Sequence, residues 1–164
     1  MPTLYENNFS AQDWSVLCYV PLWVFQEVAK ADGTVSIRER NSLLNEINLN
    51  EAYKSGLAKE ILAGLMHNWS TVIEKFNSQP KTHQQGLTKA CEILKTFSDQ
   101  KEVDLFKTSM FIIGIKIAKA SGERANLFDD WRNIDTLEKE TLREIANLLE
   151  LDSDTVRRIL EGHD

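Results

Sequence analysis

Carboxylates carry most of the chemistry this chain offers, and they gather in two places. The first is Ala29-Lys30-Ala31-Asp32-Gly33-Thr34-Val35-Ser36-Ile37-Arg38-Glu39. The second begins at Ala118-Lys119-Ala120-Ser121-Gly122-Glu123 and continues through Asp129, Asp130, Asp135 and Glu138. Oxygen donors of this kind suit hard cations such as Mg2+ or Ca2+. Asp32-Gly33 followed by Glu39 matches the second half of an EF-hand loop: an aspartate ligand, a sharp glycine turn and a closing glutamate. The first half would need oxygen ligands at Val28 and Lys30. Valine has none and lysine brings a positive charge, so a complete EF-hand is excluded. What is left is a composite metal site, with Asp32 and Glu39 as its first ligands and Glu123, Asp135 and Glu138 completing it. The same acids also have a purely structural reading. Ser36-x-x-Glu39 and Asp135-x-x-Glu138 are capping boxes, and Asp32 precedes a glycine that ends a helix.

Other reactive side chains are dispersed. His67, His83 and His163 share no zinc-ligand spacing and read as surface or loop histidines. Cys18 and Cys91 form no CxxC pair; both fall on apolar helical faces and read as buried, inert thiols in a reducing compartment. The glycines are isolated, so no phosphate loop is present. Glu60 and Glu92 sit on polar faces and read as solvated. Residues 123–134 form an insertion in which Leu127, Phe128 and Trp131 lie beside Asp129, Asp130 and Arg132. It has two readings: a lid over its own bundle, or a docking surface in which Phe128, Asp129, Asp130 and Trp131 touch a partner.

The positioning elements are helices. Strand patterns are nearly absent and the apolar periodicity is that of an amphipathic helix. Ser10 is placed to cap a first helix carrying Trp14, Leu17, Val20, Val24, Phe25 and Val28. Pro21 lies inside that run and predicts a kink or a split there. Leu43, Leu44 and Ile47 line the next helix. Leu57 to Phe76 predicts one long helix or two with a bend near His67-Asn68, ended by Ser78-Gln79-Pro80. Leu87, Cys91 and Leu94 mark another helix, and Ser98-Asp99 separates it from Val103–Ala120. Phe111, Ile112, Ile113, Ile115 and Ile117 cover nearly the whole circumference of that segment, which predicts neighbours on all sides. Leu142, Ile145 and Leu149 line a further helix, and Asp152 or Ser153 caps a short last one. The expectation is an all-α helical bundle of about seven to nine helices. Residues 1–9 read as a tail pinned by Tyr5 and Phe9, and residues 10–164 as one domain.

Composition narrows the function classes. A chain of 164 residues with 42% hydrophobic and 27% charged residues can hold a full core without disulfide staples. A net charge of −6 argues against nucleic acid and anionic membrane surfaces, and it tolerates a divalent cation or a basic partner. The most apolar stretch, Met110 to Ala118, is about half a membrane span, so no insertion is expected. The amino terminus has no basic region leading into an apolar run. Together these point to the cytoplasm.

The two acidic clusters also look like one unit written twice. Val28–Gly33 aligns with Ile117–Gly122 and Ser36–Glu39 with Asp135–Glu138, with about ten extra residues in the second copy. This predicts an approximate internal two-fold repeat, its units near 14–47 and 105–149, around the helices that end at Gly33 and Gly122. At Ala29 to Glu39 and its echo at Ala118 to Glu138, the chain resembles the tellurite-resistance TerB-like family. The resemblance covers roughly residues 10–160. It implies a helical, non-enzymatic protein of stress or tellurite resistance. It also implies an acidic surface linked to divalent cations, and protein partners at the membrane. Asp32, Glu39 and Glu138 match the family pattern, whereas Ser121 replaces the second aspartate and the insertion replaces the tight loop. Two other function classes fit the same residues: a helical protein–protein interaction adaptor, and a hydrolase using a carboxylate-bound metal. The sequence sets no oligomeric state.

Overall fold

Helical periodicity resolves into eight α-helices and one 3-10 turn, with no strand among the described residues. The computed structural model describes residues 5–30, 37–48, 53–121 and 136–160, with the backbone alone at 29, 30, 37–40, 42, 46, 119–121, 136–138 and 160. The turn Glu6–Asn8 is followed by α1 (Ala11–Lys30), α2 (Ile37–Asn48), α3 (Gly56–His67) and α4 (Trp69–Ser78). Then come α5 (His83–Lys95), α6 (Gln100–Ser121), α7 (Thr136–Leu148) and α8 (Ser153–Leu160).

Side-chain caps set most of the starts. Ser10 accepts from the Asp13 amide at 3.0 Å and Asp152 from the Thr155 amide at 2.7 Å, both as expected from sequence. Thr82 and Gln85 close a full capping box at α5, and Asp99 accepts from the Glu102 amide at 3.2 Å at α6. Asn68 breaks the 57–76 run into α3 and α4, the two-helix alternative. At the end of α7, Glu150 takes the left-handed conformation that usually asks for glycine, with φ of 60°. Leu151 then donates to the Ala146 carbonyl at 3.0 Å and closes the helix.

Of the kink or split expected at Pro21, the split does not occur: α1 runs through it as one helix. An interior proline costs about 3 kcal/mol of helix stability. Here Leu17, Val20, Leu22, Trp23 and Val24 are all fully or nearly fully buried around it, each contributing about 1.5–3 kcal/mol. Tertiary packing therefore outweighs the local penalty.

Helices α1 and α6 form the centre. Helix α1 packs on α5 and α6, α2 packs on α6 and α3, and α7 packs on both α1 and α6. Trp23, Phe106 and Phe111 are the largest fully buried side chains. Gly86 lets α5 approach α1, because a Cβ there would stand 2.3 Å from the Trp23 indole. The amino-terminal segment is docked. The Tyr5 ring meets Phe97 edge-on at 6.1 Å between centroids, and Phe9 lies 5.3 Å from the same ring.

Candidate functional site

Most of the residues that sequence chemistry singles out lie outside the described residues. Asp32, Glu123, Asp135, Phe128, Asp129, Asp130 and Trp131 lie outside the described residues. Glu39 falls in α2 and Glu138 in α7, with the backbone alone described at both. Among the described residues, no group of three or more His, Cys, Asp or Glu side chains is arranged to hold a metal ion. The helices that lead into the two acidic clusters do touch. A Cβ at Gly114 of α6 would stand 3.2 Å from Val24 and 3.8 Å from Val28 of α1.

Several titratable groups do structural work. His83, read from sequence as a surface or loop residue, is largely buried at the start of α5 and pairs with Glu27 of α1. Burial, with Glu6 and Glu60 adding to it, pushes the Cys18 thiol up to about 12, so it stays protonated at neutral pH. Burial also raises Cys91, against an opposing pull from Lys107, and its thiol donates to the Leu148 carbonyl at 3.2 Å. Glu60 is not merely solvated. It accepts from the Tyr5 amide at 3.0 Å and the Glu6 amide at 2.8 Å and ties the amino-terminal segment to α3. Glu92 is exposed and lies 4.0 Å from the exposed Lys89, a geometry of little energetic weight.

Glu102 is the most elaborate of these groups. Only 8% of it is exposed. Its carboxylate accepts from the Ser55 hydroxyl, from the Leu57 amide at 3.0 Å and from the Tyr5 hydroxyl at 3.4 Å. One side chain of α6 thereby satisfies a first-turn amide of α3 and places negative charge at the positive end of that helix. Asp99-x-x-Glu102 has the same pattern as Asp135-x-x-Glu138. Its glutamate reaches across to another helix, while the Asp99 side chain caps α6.

An adjoining face of α6 is different. A cavity of about 580 Å³ runs beside it. Helix α6 contributes Lys101, Asp104, Leu105, Thr108, Ser109, Ile112 and Lys116. The segment before α3 adds Tyr53 and Lys54, and α8 adds Thr155, Arg158 and Ile159. Leu105 is 39% exposed, and Ile112 and Ile159 are only half-buried. The expectation that neighbours cover α6 on all sides therefore fails along this stripe. The floor is apolar, and among the described lining residues the rim carries Lys54, Lys101, Lys116 and Arg158, with Asp104 as the one acid. The Lys116 ammonium lies 5.7 Å from the centroid of the Tyr53 ring, within cation–π range. Lys54 and Lys101 make no ion pair among the described residues. The sequence does carry a signal for this face: Lys101, Leu105, Thr108, Ile112 and Lys116 recur at steps of three and four. The high apolar content of 110–118 hides it.

Compared with protein-family models, with curated proteins and with solved structures, the chain finds no significant match. No helix among the described residues is long and apolar enough to cross a membrane.

Proposed function

We propose that this chain is a non-catalytic helical interaction module that works through the groove beside α6. One observation carries the reading. Leu105, Ile112, Ile159 and Tyr53 form an apolar floor ringed by four cations, on a chain whose net charge is −6. Ligand sites combine an apolar base with a few placed polar groups in this way, and the volume falls in their usual range of about 300–1,000 Å³. The state of the thiols supports the non-catalytic part. Neither Cys18 nor Cys91 is activated, and His83 is engaged by Glu27. Two free thiols suit a reducing compartment, so the module is assigned to the cytoplasm. The test is a photo-crosslinking residue at Leu105, with the same residue at exposed Glu92 on α5 as the control. In cells expressing the chain, position 105 should yield a discrete crosslinked species that position 92 does not. Equal yields at both positions, or none at 105, defeat the proposal.

A second reading keeps the TerB-like motif. In it, Asp32 and Glu39 hold a divalent cation together with Glu123, Asp135 or Glu138, in a stress-response or tellurite-resistance setting. The contact of Val24 and Val28 with Gly114 favours it, because it joins the two helices that lead into the acidic clusters. Calorimetric titration of Mg2+ and Ca2+ into the wild type and Asp32→Asn is the check. Binding below millimolar in the wild type, lost in the variant, is the expected result; no heat in either removes the site.

A further inference from the structure

Resting on the groove reading, we propose that the occupant is an acidic amphipathic helix of a partner protein. Length is the first argument. Lys101 and Lys116 are fifteen residues apart on α6, about 22 Å along its axis. That matches about four turns of an incoming helix. The apolar pattern is the second. Leu105 and Ile112 are spaced by seven residues, with Tyr53 and Ile159 beside them. An amphipathic helix presents anchors at this repeat, and laying it in the groove would remove Leu105 from water.

The distribution of charge is the third argument and separates this occupant from a small amphiphilic anion. A single carboxylate or phosphate is best met by cations converging at one mouth. Here Lys101 and Lys116 stand far apart on one wall, while Lys54 and Arg158 come from two other elements. A polar face bearing several glutamates or aspartates can meet all four. The chain is acidic overall, yet screening confines that repulsion to about 8 Å at physiological salt. The rim cations therefore dominate once the helix is close, and they reject a basic helix.

The experiment uses fluorescein-labelled amphipathic peptides about 15 residues long, with leucines on one face and Glu, Gln or Lys on the other. Fluorescence anisotropy with the whole chain should show the Glu peptide binding about tenfold more tightly than the Gln peptide, and more weakly as salt rises. The Lys peptide should bind least. Lys101→Glu combined with Arg158→Glu should reverse the order, so that the Lys peptide becomes the best ligand. Leu105→Asp should weaken all three; circular dichroism confirms that these surface variants are folded. If the wild type binds the three peptides alike, or the double variant leaves the order unchanged, the acidic helix is wrong while the groove survives as an interaction surface. If no peptide binds but myristate does, and Leu105→Asp abolishes it, the occupant is a small amphiphile and this proposal is overturned. A concentration-dependent dimer in sedimentation, lost in Leu105→Asp, would overturn it in favour of a second copy. Failure of every ligand, with no groove-specific crosslink at position 105, removes the groove reading itself.

Discussion

Lys101 and Glu102 are neighbours in α6, and their surroundings are opposite. Glu102 is 8% exposed and has a hydroxyl, an amide and a phenol around its carboxylate. Lys101 stands exposed at one end of the groove with no ion pair among the described residues. The apolar residues repeat the contrast. Phe106 is fully buried, and Leu105, one position earlier, is 39% exposed. On the inner face the Glu102 carboxylate is fully engaged and its apolar neighbours are covered, which is what a fold needs. On the outer face the apolar carbon of Leu105 is left open beside Lys54 and Lys101, which make no ion pair among the described residues. That does nothing for the isolated chain and suits recognition. Damage to the inner face should therefore cost stability, and damage to the outer face should cost binding alone.

The sharpest way to break this contrast is Phe106→Ala. It removes a fully buried ring at the centre of the bundle and should lower stability in urea by about 4 kcal/mol. A loss near zero would mean that α6 is not the central helix described here. Glu102→Ala comes next. It leaves the Ser55 hydroxyl and the Leu57 amide without their acceptor, and charge-assisted hydrogen bonds of this kind are each worth about 1.5–3 kcal/mol. A loss of about 3 kcal/mol is expected, with hydrogen exchange fastest in the first turn of α3. Leu105→Ala should lower stability in urea by less than about 0.5 kcal/mol, because the side chain is already part-exposed. If it costs as much as Phe106→Ala, the outer face is part of the core and the groove reading fails.

How much of this could be read from sequence follows from the range of each interaction. Helices and caps are local, so Ser10, Asp152 and the break at Asn68 were legible in spacing and residue type. Pro21 does not split α1, because its penalty is local while the burial of Leu17 to Val24 that overrides it is tertiary. By spacing alone Glu60 reads as solvated and His83 as a surface or loop residue. Their partners, Tyr5 and Glu27, lie 55 and 56 residues away, and no periodicity reports such pairs. The groove was hidden for a different reason. An apolar run says that a helix needs cover, but not that every stripe of it receives cover within the same chain. The carboxylates of the two acidic clusters, Asp32 and Glu39 with Glu123, Asp135 and Glu138, depend on long-range placement in the same way.

Asp152 offers the gentlest test of the outer face, because it holds the helix that brings Arg158 and Ile159 to the groove. Its carboxylate accepts from the Thr155 amide at 2.7 Å and from the Thr155 hydroxyl at 2.9 Å. The amide bond first, and the hydroxyl bond second, hold it below the ordinary carboxylate value of 3.8. A depressed carboxylate stabilises the folded helix above its ordinary value, and that contribution is lost as pH falls through the lower one. The start of α8 should therefore loosen in acid, read as faster exchange of the Thr155 amide after correction for its intrinsic pH dependence. Asp152→Asn keeps an oxygen acceptor but cannot titrate, so the pH dependence should vanish in it. Leu57, whose amide is held by Glu102 between α3 and α6, should not follow the Asp152 titration at all. If Thr155 and Leu57 loosen together, acid is opening the whole bundle. The division between a fixed inner face and a separately held outer wall would then have to be given up.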